Sequence, residues 1–222
     1  MTSNMTLSIV TSVSDSPFSL TNHEVWAISS EDSGALARRA IMIATWVMPG
    51  TLSKTNPRLI LALSKGNYSH DIILASGYFL ASMLAVGQEG LVPIFGGQSS
   101  RDADKFGEAR QAGFSFSRYL FGFGVGVKQE LGKQDCTDVV GSLESIAGSC
   151  GWCYCQVSQQ LDIGDRTVVV ADIVDSAIDK SKAPLRKKEA LAAMPDNVAK
   201  TLYDKAIIDG IRDTRLLPDR NE

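Results

Sequence analysis

Hydroxyl and cationic side chains are concentrated in one stretch of this chain. Residues 45 to 69 read TWVMPGTLSKTNPRLILALSKGNYS, which sets Thr45, Thr51, Ser53, Ser64 and Ser69 around Lys65. Hydroxyls donate and accept hydrogen bonds and an ammonium attracts anions, so the set can close an ordinary turn or cradle an anionic ligand. A second group is FGGQSSRDADKF, Phe95 to Phe106, where Gly96 and Gly97 precede Arg101. A third is SCGWCYCQV, which carries Cys150, Cys153 and Cys155 of the four cysteines. The spacing from Cys150 to Cys153 is that of a zinc knuckle or a redox pair, but a structural zinc needs a second ligand pair, and His23 and His70 lie far away. Read as a strand, the same stretch puts Cys153 and Cys155 on one face and Cys150 on the other, as three small buried residues. No metal is expected.

The elements that must position these groups follow from hydrophobic period and breakers. Glu24 to Ser29 is strand-like, and Ala40 to Met48 is a near-continuous apolar run expected of a strand buried on both sides, ended by Pro49 and Gly50. Arg58 to Leu63 is another such strand, entered through Asn56 and Pro57. Ser69 to Ala75 is expected as a short helix with Ser69 as its N-cap and Asp71 in its first turn. Tyr78 to Leu84 reads as a strand, Gln88 to Ile94 as a helical turn, and Phe95 to Phe106 as a glycine and serine loop ending in a charged helical turn. From Gly107 to Gly141 the pattern is mixed, and Gly122, Gly124 and Gly126 do not make a dinucleotide fingerprint, because no acidic partner follows a clear βαβ unit. Gly151 to Leu161 and Arg166 to Ile178 are two long strands joined by a hairpin-like turn, Asp162 to Asp165. Many strands with short connections give a mainly β fold, a barrel with helical inserts. The domain spans residues 1–179, and residues 180–222 form a helical extension broken at Pro195, with Leu185, Leu191, Val198, Leu202, Ile207 and Ile211 on its apolar faces. Arg186 to Lys188 is a solvated basic run within it.

Composition narrows the function classes. The 222 residues are 44% hydrophobic, enough for a real core, and the formal net charge of -3 leaves no basic excess for nucleic acid. The first residues lack the charged start and long apolar core of a secretory signal, and no run approaches the roughly 18 apolar residues of a membrane span. A cytoplasmic protein without membrane contact is the expectation.

Taken in order, MIATWVMPGTLSKTNPRLILALSKGNYSHDIILASGYFLASML, FGGQSSRDADKF, GWCYCQV and LDIGDRTVVVADIVD resemble the flavin reductase-like proteins, which have an FMN-binding split β-barrel. The resemblance runs from about Asn22 to Ala177 and rests on the ordered set, not on one motif. It implies that Thr45, Trp46, Val47 and Met48 run along a flavin ring, and that Thr51 and Ser53 approach its edge and ribityl hydroxyls. Leu63, Ser64 and Lys65 are implied at the ribityl and phosphate, Tyr68 and Ser69 at the following polar turn, and Phe95, Gly96, Gly97 and Arg101 in a loop closing over the site. Each residue also has a plainer reading: Thr51 and Ser53 as turn residues, Lys65 as a solvated charge, Arg101 as a partner of Asp102 or Asp104, and Trp46 as core.

The implied activity is NAD(P)H-dependent reduction of FMN or FAD by hydride transfer to flavin N5, with no side-chain acid or base required and an oxygenase or other acceptor as possible partner. The alternative is a tightly FMN-bound electron carrier or redox sensor without reductase turnover. Another treats the cysteines as a metal or disulfide switch. Many family members have Gly-Asp-His where this chain has Gly164, Asp165 and Arg166. Arginine cannot act as a neutral imidazole, yet it can bind a pyridine-nucleotide phosphate on the nicotinamide side. The family also implies a homodimer, with the apolar tail reaching the partner subunit.

Overall fold

The computed structural model describes residues 20–32, 38–122, 125–127 and 139–202. Ten strands are placed there: β1 Trp26–Asp32, β2 Arg38–Ala44, β3 Val47–Pro49, β4 Arg58–Ser64, β5 Tyr78–Met83, β6 Phe116–Gly122, β7 Val125–Val127, β8 Val139–Ile146, β9 Gly151–Asp162 and β10 Arg166–Ile178. Four helices accompany them: α1 Tyr68–Ser76, α2 Leu91–Gly97, α3 Lys105–Gln111 and α4 Lys187–Ala192. Residues 196–202 are also helical, beyond the break at Pro195.

The main sheet has seven antiparallel strands in the order β2-β1-β5-β9-β10-β4-β3. Its two outer strands, β2 and β3, are separated in the chain only by Thr45 and Trp46. Laid flat, such a sheet would hold its edges about 29 Å apart at ~4.8 Å per strand, whereas that link reaches only about 10 Å. The sheet is therefore curled into a half-barrel until its edges approach, and Ala62 N–H donates to Trp46 C=O at 3.1 Å beside the gap. The expected single strand from Ala40 to Met48 is thus two strands belonging to opposite edges, and its end is not buried: Trp46 is 42% exposed and Met48 53%.

Strand alternation sorts the core. Ile28, Leu59, Leu61, Leu63, Phe79, Ala81, Cys155, Val169 and Ala171 fill the barrel, with Ile73 of α1 beside them. The outer face of β1 and β2, through Ala27 and Ile41, is covered by Leu91 and Phe95 of α2, Phe106 and Ala109 of α3, and Leu185, Ala190 and Met194 of the C-terminal segment. A small sheet in the order β7-β6-β8 covers β5 and β9, where Tyr119 and Leu143 pack on Leu80 and Tyr154. Strands β6 and β7, and the start of β8, come from the region whose sequence pattern is mixed.

Two local expectations are corrected. Helix α1 begins one residue early, with Asn67 at the N-cap making no side-chain cap bond, and Ser69 is buried within its first turn. Phe95, Gly96 and Gly97 are the last turn of α2, so the loop is only residues 98–104. The described part of the tail packs inward, with Leu185, Ala190, Met194, Val198 and Leu202 on this chain's own core. Ile207 and Ile211 lie outside the described residues.

Candidate functional site

The cavity that matters opens where the barrel edges meet. Its volume is about 630 Å³, in the range of small-molecule and cofactor sites. The end of β2 and the link contribute Met42, Ile43, Ala44, Thr45 and Trp46; β4 contributes Ala62 and Ser64. The turn into α1 adds Gly66, Asn67, Tyr68 and Ser69. Gly66 has φ 76°, a left-handed value that glycine adopts without strain, and so lets the chain reverse from β4 into the helix. With no side-chain cap, the N-terminus of α1 brings its positive dipole end to the cavity.

Opposite, α2 and the loop after it supply Phe95, Gly96, Ser99, Ser100 and Arg101. That loop is fastened to β2: Ser100 Oγ accepts from Ile41 N–H and donates to Ile41 C=O, both at 3.1 Å. Asp104 caps α3 by accepting from Gly107 N–H at 3.1 Å, which places Lys105 at the helix start, pointing inward. Lys105 is 4% exposed, and its ammonium donates to Phe95 C=O at 2.7 Å and Ile41 C=O at 2.9 Å. It thus offsets the carbonyl end of α2.

From β10 comes Arg166, paired in register with Ser64. Its guanidinium donates to Ser64 Oγ and lies 5.2 Å from the Trp46 ring centroid. Its Nε lies 3.4 Å from Asp165 Oδ2, yet it is buried without a hydrogen bond among the described residues. Arg101 lies 5.2 Å from the Tyr68 ring centroid and 3.8 Å from Asp71, so its carboxylate neighbour is on α1 and not Asp102 or Asp104. The lining holds four cationic residues, Arg101, Lys105, Arg166 and Lys187, against one carboxylate, Asp102. With Asp71 beside Arg101 and Asp165 beside Arg166, the balance is a small positive excess in a chain of net charge -3.

Of the residues singled out in the sequence, Thr45, Trp46, Ser64, Tyr68, Ser69, Phe95, Gly96, Arg101 and Arg166 line this one cavity. The others stand elsewhere. Val47 and Leu63 pack in the barrel interior, and Met48 is on the exposed face of β3. Thr51 Oγ1 donates to Asn56 C=O at 2.9 Å, and Ser53 Oγ accepts from Thr55 and Asn56 N–H at 3.3 and 3.2 Å, so both hydroxyls serve the turn. Lys65 pairs with Asp162 at 2.6 Å, and Gly97 falls outside the lining. Sequence reasoning missed Asn67, Ser100, Lys105, Lys187, Ala199 and Leu202. Lys105 directly follows the acidic Asp102 and Asp104 in DADKF and reads as a surface charge, whereas the 3.6-residue period had already marked Leu202 as apolar.

The cysteines take no part in this cavity. Burial pushes the Cys153 thiol up to about 11 and the Cys155 thiol well above its ordinary range, which suppresses the thiolate. Among the described residues no group of three or more His, Cys, Asp or Glu could hold a metal ion, and no helix is long and apolar enough to cross a membrane.

Comparison with known proteins agrees with this architecture. The NADH:FAD oxidoreductase SgcE6 of Streptomyces globisporus C-1027 is similar at 16% identity and a TM-score of 0.54, over 75% of this chain and 81% of that one. An FMN-binding protein from Thermus thermophilus is similar at 17% identity and a TM-score of 0.54, over 83% of this chain and 86% of that one. A Sinorhizobium meliloti protein gives a TM-score of 0.56 at 15% identity over 76% of this chain, which spans only 48% of its length. At these identities the likeness is one of fold. None of the curated proteins is matched by this chain. The family model for the flavin reductase like domain matches residues 18–190, most of the chain, so this protein belongs to the flavin reductase-like family, a family of split-barrel oxidoreductases.

Proposed function

We propose that this protein is an NAD(P)H-dependent flavin reductase that binds FMN, or FAD, in the cavity between Trp46, Ser64, Tyr68 and Arg101. The observation that carries the reading is the lining itself. It combines an apolar floor, the start of a helix, hydroxyls and four cations in one 630 Å³ space, a donor set that fits an aromatic ring system bearing a phosphate. Arg166 Nε fits the same group, since it is a buried donor with no hydrogen bond among the described residues, its carboxylate neighbour Asp165 standing 3.4 Å away.

When bound, the flavin supplies the two-electron redox chemistry, taking hydride at N5 from the reduced nicotinamide. The chain's part is to bind, orient and exclude water. Arg101 and the α1 N-terminus would hold the phosphate, Thr45 and Ser64 the polar edges, and Trp46 with Arg166 the nicotinamide side. Phe95 and Ile43 keep the floor dry. Electrons would pass on to an oxygenase or another acceptor. A second reading, a carrier that retains FMN without reductase turnover, is favoured by Arg166 standing where many members have histidine.

The same reading includes a homodimer. Met48, Ile60 and Val170 form one cross-strand row on the outer face, next to Ala62, Val168 and Leu161, and Met48 and Leu161 are exposed. Such an apolar face suits a second copy. The visible spectrum of the purified protein, then anaerobic addition of NADH or NADPH, tests the function. Flavin bands that bleach support the reductase, and bands that persist support the carrier. A colourless protein that takes up no added FMN refutes both.

A further inference from the structure

We infer that the C-terminal segment is a wall of this site, with Leu191, Ala199 and Leu202 acting as flavin-retaining residues that make the flavin a resident cofactor. The inference rests on the flavin reading above. It concerns residues beyond the family match, which ends at residue 190.

The path of the segment is set by backbone pairing. Val86 N–H donates to Ala183 C=O at 2.9 Å, Leu185 N–H to Leu84 C=O at 2.8 Å, Val25 N–H to Leu185 C=O at 2.8 Å and Lys187 N–H to His23 C=O at 2.9 Å. Leu185 is fully buried between these strands, so α4 leaves from a fixed point. Ala190 and Met194 then seat it on the core, and after Pro195 the helical residues 196–202 continue along the cavity. Leu191, Ala199 and Leu202 all reach the lining.

The last of these meets α2 directly. A Cβ on Gly96 would stand 3.1 Å from Leu202 Cδ2, tighter than ordinary van der Waals contact, so glycine at 96 is what lets the segment lie down on the helix. Leu191, Ala199 and Leu202 are apolar, and they share the cavity with the polar and cationic Ser64, Arg101 and Arg166. A ligand with an aromatic body and a charged end would be covered on the body by the leucines, and contacts that must break before release act on the off-rate. The retention argued here is therefore local to the segment.

The test uses the full-length protein with FMN, reading Kd by flavin fluorescence and the release half-time on dilution, with Tm followed in parallel. Leu202→Ala should release FMN about tenfold faster, the loss of part of one half-buried leucine's contact, and Leu191→Ala with Leu202→Ala faster still. Gly96→Ala, whose Cβ would crowd Leu202, should move release in the same direction, while Leu202→Met should keep retention near the parent. Variants that keep their Tm within a few degrees and release FMN at the parent rate overturn the inference and leave the flavin reading standing. A parent protein that binds no FMN overturns the flavin reading, and the inference with it.

Discussion

Replacing Arg166 by methionine is the sharpest probe of the site, because it removes a permanent cation while leaving an aliphatic stem near Trp46. Arg166 donates to the buried Ser64 hydroxyl, and its Nε–H has no hydrogen bond among the described residues. If that face binds flavin, the variant loses one charge-assisted hydrogen bond, worth about 1.5–3 kcal/mol. At 1.4 kcal/mol per decade, Kd for FMN should rise about tenfold to a hundredfold. Stability should change far less, by about 1 kcal/mol, since Ser64 loses its partner and Asp165 its neighbouring cation, while a buried donor without a hydrogen bond also disappears. The assay is a fluorescence titration with FMN and with riboflavin at low and moderate salt. A loss confined to FMN places Arg166 at the phosphate; an equal loss for both places it at the ring. Affinities for both ligands within twofold of the parent would show that the cation does not face the flavin and refute the reasoning.

Three further outcomes are expected. Ser53→Ala should leave FMN affinity unchanged and lower stability by about 1 kcal/mol in urea unfolding, because its hydroxyl accepts from Thr55 and Asn56 N–H within the turn and does not reach the cavity. Lys105→Met should cost about 3 kcal/mol in the same assay, since two carbonyls, Ile41 and Phe95, lose charge-assisted donors in a buried setting. Alkali should weaken the fold: Cys153 is pushed from 9.0 to about 11 and Tyr119 from 10.0 to about 12, both chiefly by burial. Because the folded state favours their neutral forms, the stability they contribute is complete below the unfolded values near 9 and 10 and is lost as pH rises through about 11 and 12. Thermal melts across that window should show Tm falling, and Cys153→Ala should flatten its lower part.

The strands were legible where the pattern was clean. β4, β9 and β10 follow directly from period and turn residues, and the face sharing of Cys153 and Cys155 follows from simple alternation. Strands β6 to β8 were not, because glycines and aromatics there give no single period. The break after Ala44 was equally hidden: ATWVM is as good a strand as any, and only pairing to two different neighbours separates its halves. For the site, the types of residue were visible, but not which of them meet. Thr51 and Ser53 look like ligands and serve a turn, while Lys105 looks like a surface charge and is buried against two carbonyls.

By itself, then, the sequence determined a mainly β family member with hydroxyls and cations near the ends of two strands, since period and residue type are local properties. What only the tertiary structure decided is the site. The two edges of a seven-stranded sheet are joined by two residues, so the sheet must curl. Strand pairing sets Trp46, Ser64 and Arg166 side by side on one edge, closure brings the end of β2 to the same cavity, and Leu202, far along the chain, lies against Gly96. Contacts of this kind depend on the path of the whole chain, which no short window of residues contains.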